Sequence, residues 1–196
     1  MGAQLHVSKS GNDRNPGTQA EPLATISQAA SIARPGDTVV VHAGTYREWV
    51  KPRRGGTSEA DRIVYCAADG ERPVIKGSEV VDQWERTQEG VWKTVLPDAF
   101  FGEHNPFRTR LGGDWFKDKG RVHHTGEVFA DGQALLEAAS RAEVVKPIKR
   151  GNVFPPSDPA LVWYCESDDR TTTIWANFGD RDPNDALRQD FEPEWD

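Results

Sequence analysis

The chain has 196 residues, 36% of them hydrophobic, and its 31 acidic side chains against 24 basic ones leave a net charge of −7. That balance, with no basic stripe, excludes a nucleic-acid phosphate backbone as a partner. No run nears the roughly 18 apolar residues that cross a bilayer, so no membrane association is expected.

The opening Met1–His6 lacks the apolar core of a secretory signal, which makes the cytoplasm the expected location unless a leader was removed. Leu5–Lys9 reads as a short strand, and the Asn-, Gly- and Pro-rich stretch from Gly11 to Thr18 as a loop. Thr25-Ile26-Ser27-Gln28 has the form of a capping box, in which a hydroxyl and a glutamine side chain serve free backbone N–H groups. Leu23, Ile26, Ala29, Ala30 and Ala33 follow at helical spacing, and Pro35-Gly36 ends an amphipathic helix of about ten residues. Next come the apolar, β-branched run Val39-Val40-Val41, a turn at Gly44, and a second short strand through Glu48. Continuous apolar runs mark strands covered on both faces.

Helix, turn, buried strand, turn and strand together describe the first rung of a parallel β-helix, with the helix laid over its open end as a cap. Arg62–Ala67 and Pro73–Gly77 continue the pattern, and Val40 and Val64 stand 24 residues apart, near one solenoid turn. After Gly77 the spacing becomes irregular. Trp84, Val91-Trp92, Glu127–Phe129, Leu161–Cys165 and Thr171–Ala176 are strand candidates, with turn signals at Asp131-Gly132 and Asp168-Asp169. Ala134–Ala142 has the composition of a short helix. The expected fold is therefore mainly β: residues 1–77 form the cap and first rungs of a parallel β-helix, 78–184 an antiparallel β-sandwich-like region, and 185–196 a loosely ordered tail. Cys66 and Cys165 lie in apolar strand-like runs and are expected to be buried, reduced thiols.

Several blocks resemble a known family. Arg62-Ile63-Val64-Tyr65, Val74–Glu79, Phe100–Phe107, Gly113-Asp114-Trp115 and Thr173–Phe178 are similar to the N-terminal third of the β-xylosidases of glycoside hydrolase family 120. The resemblance implies a right-handed β-helix whose first rungs are interrupted by a sandwich-like flanking region. It also implies retaining hydrolysis of β-xylosides in xylan breakdown, with a neutral xylo-oligosaccharide as the ligand. In that family an Asp nucleophile and a Glu acid/base stand on later rungs, and neither has a counterpart here. The chain is accordingly expected to be inactive alone, and its open β-helix end offers a route to self-association.

The same resemblance places Trp115 at the sugar cleft, where an indole face packs against the apolar face of a pyranose. The alternative is a tryptophan filling the joint between helix core and sandwich. Asp114, Asn105 and His104 are the nearby hydrogen-bonding candidates, against the plainer reading of loop-stabilising residues. No catalytic residue is assigned, because 31 acidic side chains allow any pair to be nominated.

No cofactor or metal is expected. Adjacent His123 and His124 would point to opposite faces of a regular strand, and the Gly11–Asn15 loop lacks an EF-hand pattern. A polysaccharide lyase built on the same helical start, and a carbohydrate-binding or assembly module without turnover, are the alternative functions.

Overall fold

The structure is a computed structural model that describes residues 2–148 and 160–185. Its two compact units divide between Glu79 and Val80.

The first unit holds six elements: β1 (Gln4–Val7), α1 (Ile26–Ile32), β2 (Thr38–Val41), β3 (Gly44–Arg47), β4 (Val64–Ala67) and β5 (Pro73–Lys76). β1, β2 and β4 form one parallel ladder, while β3 and β5 form a second. The β2–β3 and β4–β5 passes each lay one strand in each ladder, with β1 starting the first, which is the signature of a β-solenoid. In β2 all four residues, Thr38–Val41, are β-branched, the side chains that suit a pleated strand best.

The register differs from the sequence spacing. Val40 opposes Cys66, so the rung is two residues longer than the Val40–Val64 interval. The expected two-sided burial of β2 is also corrected: Val39 and Val41 are buried and Val40 only half-buried. Inward positions meet Leu5, Val7, Leu23, Ile26, Ala29 and Tyr46 in one core.

Cys66 is exposed, contrary to expectation, because β4 is the outer strand of its ladder and all four of its residues face solvent. Cys165 is buried as expected, and both thiols are free.

α1 is shorter than the sequence suggests. Thr25 Oγ1 accepts from Gln28 N at 3.1 Å, as a capping box requires. The reciprocal bond does not form, because Thr25 N donates instead to Asp13 Oδ1 at 2.9 Å. Asp13 also accepts from Ala24 N and from the Thr25 hydroxyl. Glu48 takes the next two orphan donors, Ile26 N at 3.1 Å and Ser27 N at 2.8 Å. The acidic loop considered for calcium therefore spends Asp13 on the helix start, and Asn12 Oδ1 on Arg14 N.

The second unit is built on a five-stranded sheet in the order β10-β11-β12-β7-β6. Its strands are β6 (Glu85–Arg86), β7 (Trp92–Pro97), β10 (Leu136–Glu137), β11 (Val162–Ser167) and β12 (Thr171–Asn177). β10 runs parallel to β11 and all other pairs are antiparallel. A separate hairpin joins β8 (Phe129–Ala130) to β9 (Gln133–Ala134). Asp131 and Gly132 both have positive φ there, +49° and +73°, as a two-residue hairpin turn demands.

Period-2 alternation sorts the sheet's side chains. Trp163, Cys165, Ile174 and Ala176 pack on one face with Leu96, Phe107, Val128 and Leu135. Val162 and Trp175 pack on the other with Val91, Ala138 and Val144. Val144 belongs to α2 (Arg141–Val145), which replaces the helix expected over 134–142. Ser140 caps α2 by accepting from Glu143 N, and Ala139 N donates to Glu143 Oε2 at 2.6 Å.

Residues 180–185 are ordered by Asn184, whose amide brackets the Trp84 backbone with bonds of 3.0 and 2.9 Å. The expected tail lies outside the described residues from 186 onward.

Candidate functional site

The four sequence candidates divide into an exposed pair, an exposed histidine and a buried amide. Trp115 is 77% exposed, on an excursion whose base is closed by Leu111 N donating to His123 O at 2.8 Å and by a bridge between Arg110 and His124. Gly113 lies under the indole with φ +132°, and a β-carbon there would stand 3.0 Å from Trp115 Nε1. The Phe116 ring meets the indole edge-on at 5.9 Å, and His123 meets Phe116 edge-on at 5.4 Å. Asp114 is exposed next to Trp115, and His104 is exposed on the preceding loop.

Asn105 behaves differently. It is buried, and its Nδ2 donates to Thr172 Oγ1 at 2.9 Å and Asp98 Oδ1 at 3.2 Å, while its Oδ1 accepts from Phe107 N at 3.0 Å. Its amide is thus committed inside the fold, where it fixes the turn that carries Arg108 and Thr109.

Three constellations escaped the sequence reading. In the first, His123 and His124 converge on one carboxylate. His124 Nδ1 donates to Glu137 Oε1 at 2.6 Å, His124 N donates to Glu137 Oε2 at 3.0 Å, and His123 Nδ1 lies 3.8 Å from Oε2. Opposite facing holds only in a regular strand, and this segment is a loop with a single bridge.

Cys165 Sγ lies 3.7 Å from the same His124 nitrogen. The trio has the composition of a thiol nucleophile, base and orienting acid, yet one ring nitrogen faces both partners. Burial, reinforced by Glu137 and then Glu166, pushes the Cys165 thiol up to about 12, so it stays protonated and unreactive.

The second constellation runs along the solenoid. His6 Nδ1 lies 3.1 Å from His42 Nε2 with the rings stacked, and His42 Nδ1 donates to Glu71 Oε1 at 2.9 Å. Successive rungs supply the three residues. Burial, then the neighbouring His42, lowers the His6 pKa, and the bond from Ala43 N, then that from His42, lowers that of Glu71. His6 and His42 sit 36 residues apart, but the 34-residue register between β1 and β2 brings them to one face, a relation that only the pairing reveals.

The third is Trp49, 70% exposed just after β3, with the Lys51 ammonium 3.5 Å over its ring. A cleft of 260 Å³ in the same unit is lined by Ile26, Val41, Val50, Tyr65 and Ile75 among others, an apolar wall without the converging polar groups that a sugar needs. No cluster of three or more metal-ligating side chains occurs among the described residues. No helix among them is long and apolar enough to cross a membrane.

Residues 81–189, more than half of the chain, match the family described as the glycoside hydrolase 120 insertion domain. The chain belongs to glycoside hydrolase family 120. Its solenoid unit followed by the insertion domain fits the N-terminal portion of such an enzyme. Residues 9–53 also match a family described only as a protein of unknown function, DUF1565.

Among solved structures, the complex of XylC with xylose shares 42% identity over 92% of this family 120 chain, at a TM-score of 0.87. The uncharacterized protein YwoF of Bacillus subtilis (strain 168) is 35% identical over 81 residues, 41% of the chain. The chain spans 30% of the XylC chain and 17% of YwoF.

Proposed function

We propose that this chain is the N-terminal portion of a xylosidase-like glycoside hydrolase, acting on β-xylosides and xylo-oligosaccharides in the breakdown of xylan, in the cytoplasm. The observation that carries the reading is the 42% identity to XylC, whose structure was solved with xylose. Retaining hydrolysis needs two carboxyl groups about 5–5.5 Å apart, one ionised and one protonated. That Asp/Glu pair belongs to rungs outside these 196 residues, so the chain alone binds sugar without turning it over.

Within the chain, Trp115 is the sugar platform and Asp114 its adjacent hydrogen-bonding group, with His104 on the neighbouring loop. Asn105, its amide committed inside the fold, serves the stability of the unit and makes no contact with the sugar. The 77% exposure of Trp115 supports the platform role by leaving the indole accessible to a ligand.

The architecture divides as 1–77, 78–184 and a tail over 185–196. α1 caps a right-handed helical start, and the second region is sandwich-like. The ladder edges at β4 and β5, with Val64, Tyr65 and Ile75 exposed, offer a surface for self-association.

Titration of the chain with xylose and xylobiose tests the reading, alongside an aryl β-xyloside assay. Saturable binding without turnover is expected, and Trp115→Ala should weaken it about tenfold, the equivalent of about 1.4 kcal/mol. Turnover by the chain itself would refute the assignment of the carboxylates. Wild-type affinity in Trp115→Ala would refute the platform.

A further inference from the structure

The Trp115 excursion has a feature that sugar stacking does not require: its indole leads by ring contacts to a nearly buried carboxylate. The indole touches Phe116 edge-on, Phe116 is met edge-on by His123, and His123 faces Glu137. Glu137 is 11% exposed, and its two oxygens also hold the ring and the backbone N–H of His124 at the base of the excursion. Arg121 donates to the Glu137 carbonyl, tying the returning arm to β10.

An exposed tryptophan on a glycine-hinged loop otherwise samples many rotamers, and restricting it before ligand arrives removes that ordering cost from binding. We propose that His123, seated against Glu137, is a positioning residue that sets the Trp115 indole for a pyranose through the Phe116 ring. This deepens the sugar-platform reading and rests on it. The fixed ring presents a flat apolar face, the shape complement of a neutral pentopyranose.

The alternative is that His123 and Glu137 only close the base of the loop. Two variants separate the roles. His123→Ala removes the ring contact, whereas His123→Phe keeps a ring against Phe116 and gives up only the polar contact to Glu137.

The experiment uses the full chain, with the Trp115 indole N–H resonance assigned by its loss in Trp115→Phe, and xylose as the titrant. For His123→Ala the resonance should shift and broaden, and the dissociation constant should rise about fivefold or more, as for coupled neighbours. His123→Phe should restore both. An unmoved resonance and wild-type affinity in His123→Ala overturn the proposal.

If Trp115→Ala itself binds xylose normally, the sugar reading fails; the positioning claim is then decided by the resonance, whose shift supports it and whose constancy overturns it. Should His123→Ala not fold, His123→Gln carries the same expectation, since it keeps a polar group for Glu137 and lacks the ring.

Discussion

Replacing Asn105 by alanine separates a structural role from a ligand-binding one. The substitution removes two bonds donated by Nδ2 and one accepted by Oδ1. Each is worth about 1 kcal/mol net, and the partly exposed Asp98 partner contributes least. Thr172 Oγ1 keeps its 2.9 Å bond to Ser167 Oγ, so the orphan created is the buried N–H of Phe107.

Leaving that donor unpaired raises the cost toward the upper part of a range of about 2–4 kcal/mol. For a unit of this size that corresponds to a fall of about 10–20 °C in Tm. Urea unfolding followed by tryptophan fluorescence reads it, and the midpoint should move with the slope unchanged. Xylose affinity of the folded variant at low temperature should stay within about twofold of wild type, because the amide is spent on bonds within the fold and makes no ligand contact. A loss of less than about 0.5 kcal/mol, the range of an ordinary surface change, would refute the reasoning. So would an intact fold that no longer binds sugar.

Native-state thiol labelling should modify Cys66 alone, with Cys165 reacting only after denaturation; labelling of Cys165 in folded Cys66→Ser would contradict its burial and raised pKa. Glu48→Ala should destabilise the first unit by about 1–2 kcal/mol, because Ile26 N and Ser27 N lose their acceptor, and a melting curve matching wild type would reject that role. Acid should weaken the solenoid in two stages. The lowered His6 pKa means that the folded state resists a proton the unfolded chain accepts, so stability falls as pH drops below the usual 6.5. The lowered Glu71 pKa gives stability that is complete above its usual 4.5 and is lost as pH falls through the folded value. His6→Gln should flatten the first stage and Glu71→Gln the second, as read by urea midpoints against pH; identical profiles in both variants and wild type would refute the assignment of the two stages to these residues.

Legibility followed locality. The β-branched run at β2, the Asp-Gly turn and the Asp168 hairpin tip depend on neighbours within a few residues. Asp168 Oδ1 accepts from Arg170 N and Thr171 N there, much as the turn signal implies. α2 was legible too, since Ser140-Arg141-Ala142-Glu143 is itself a capping signature, but the alanine-rich composition upstream drew the expected helix toward β9 and β10. The exposure of Cys66 was not legible, because an apolar strand does not reveal whether another strand lies beyond it. The convergence of His123 and His124 depends on Glu137 arriving from a different strand, and the His6–His42 contact on a register offset that no single segment encodes. Trp115 entered through a motif resemblance, whereas the Phe116–His123 contacts behind it exist only in three dimensions.

The start of α1 bears on how the first unit holds together. A helix of seven residues is too short to persist by itself in water, where about 12–15 are needed for even marginal helicity. Its first donors are held by Asp13, 12 residues before Thr25, and by Glu48, 22 residues after Ile26. The second of these arrives only when the chain has passed through β2 and β3. The helix start is thereby tied to the segment that follows β3, so a change that displaces Glu48 loosens α1 as well.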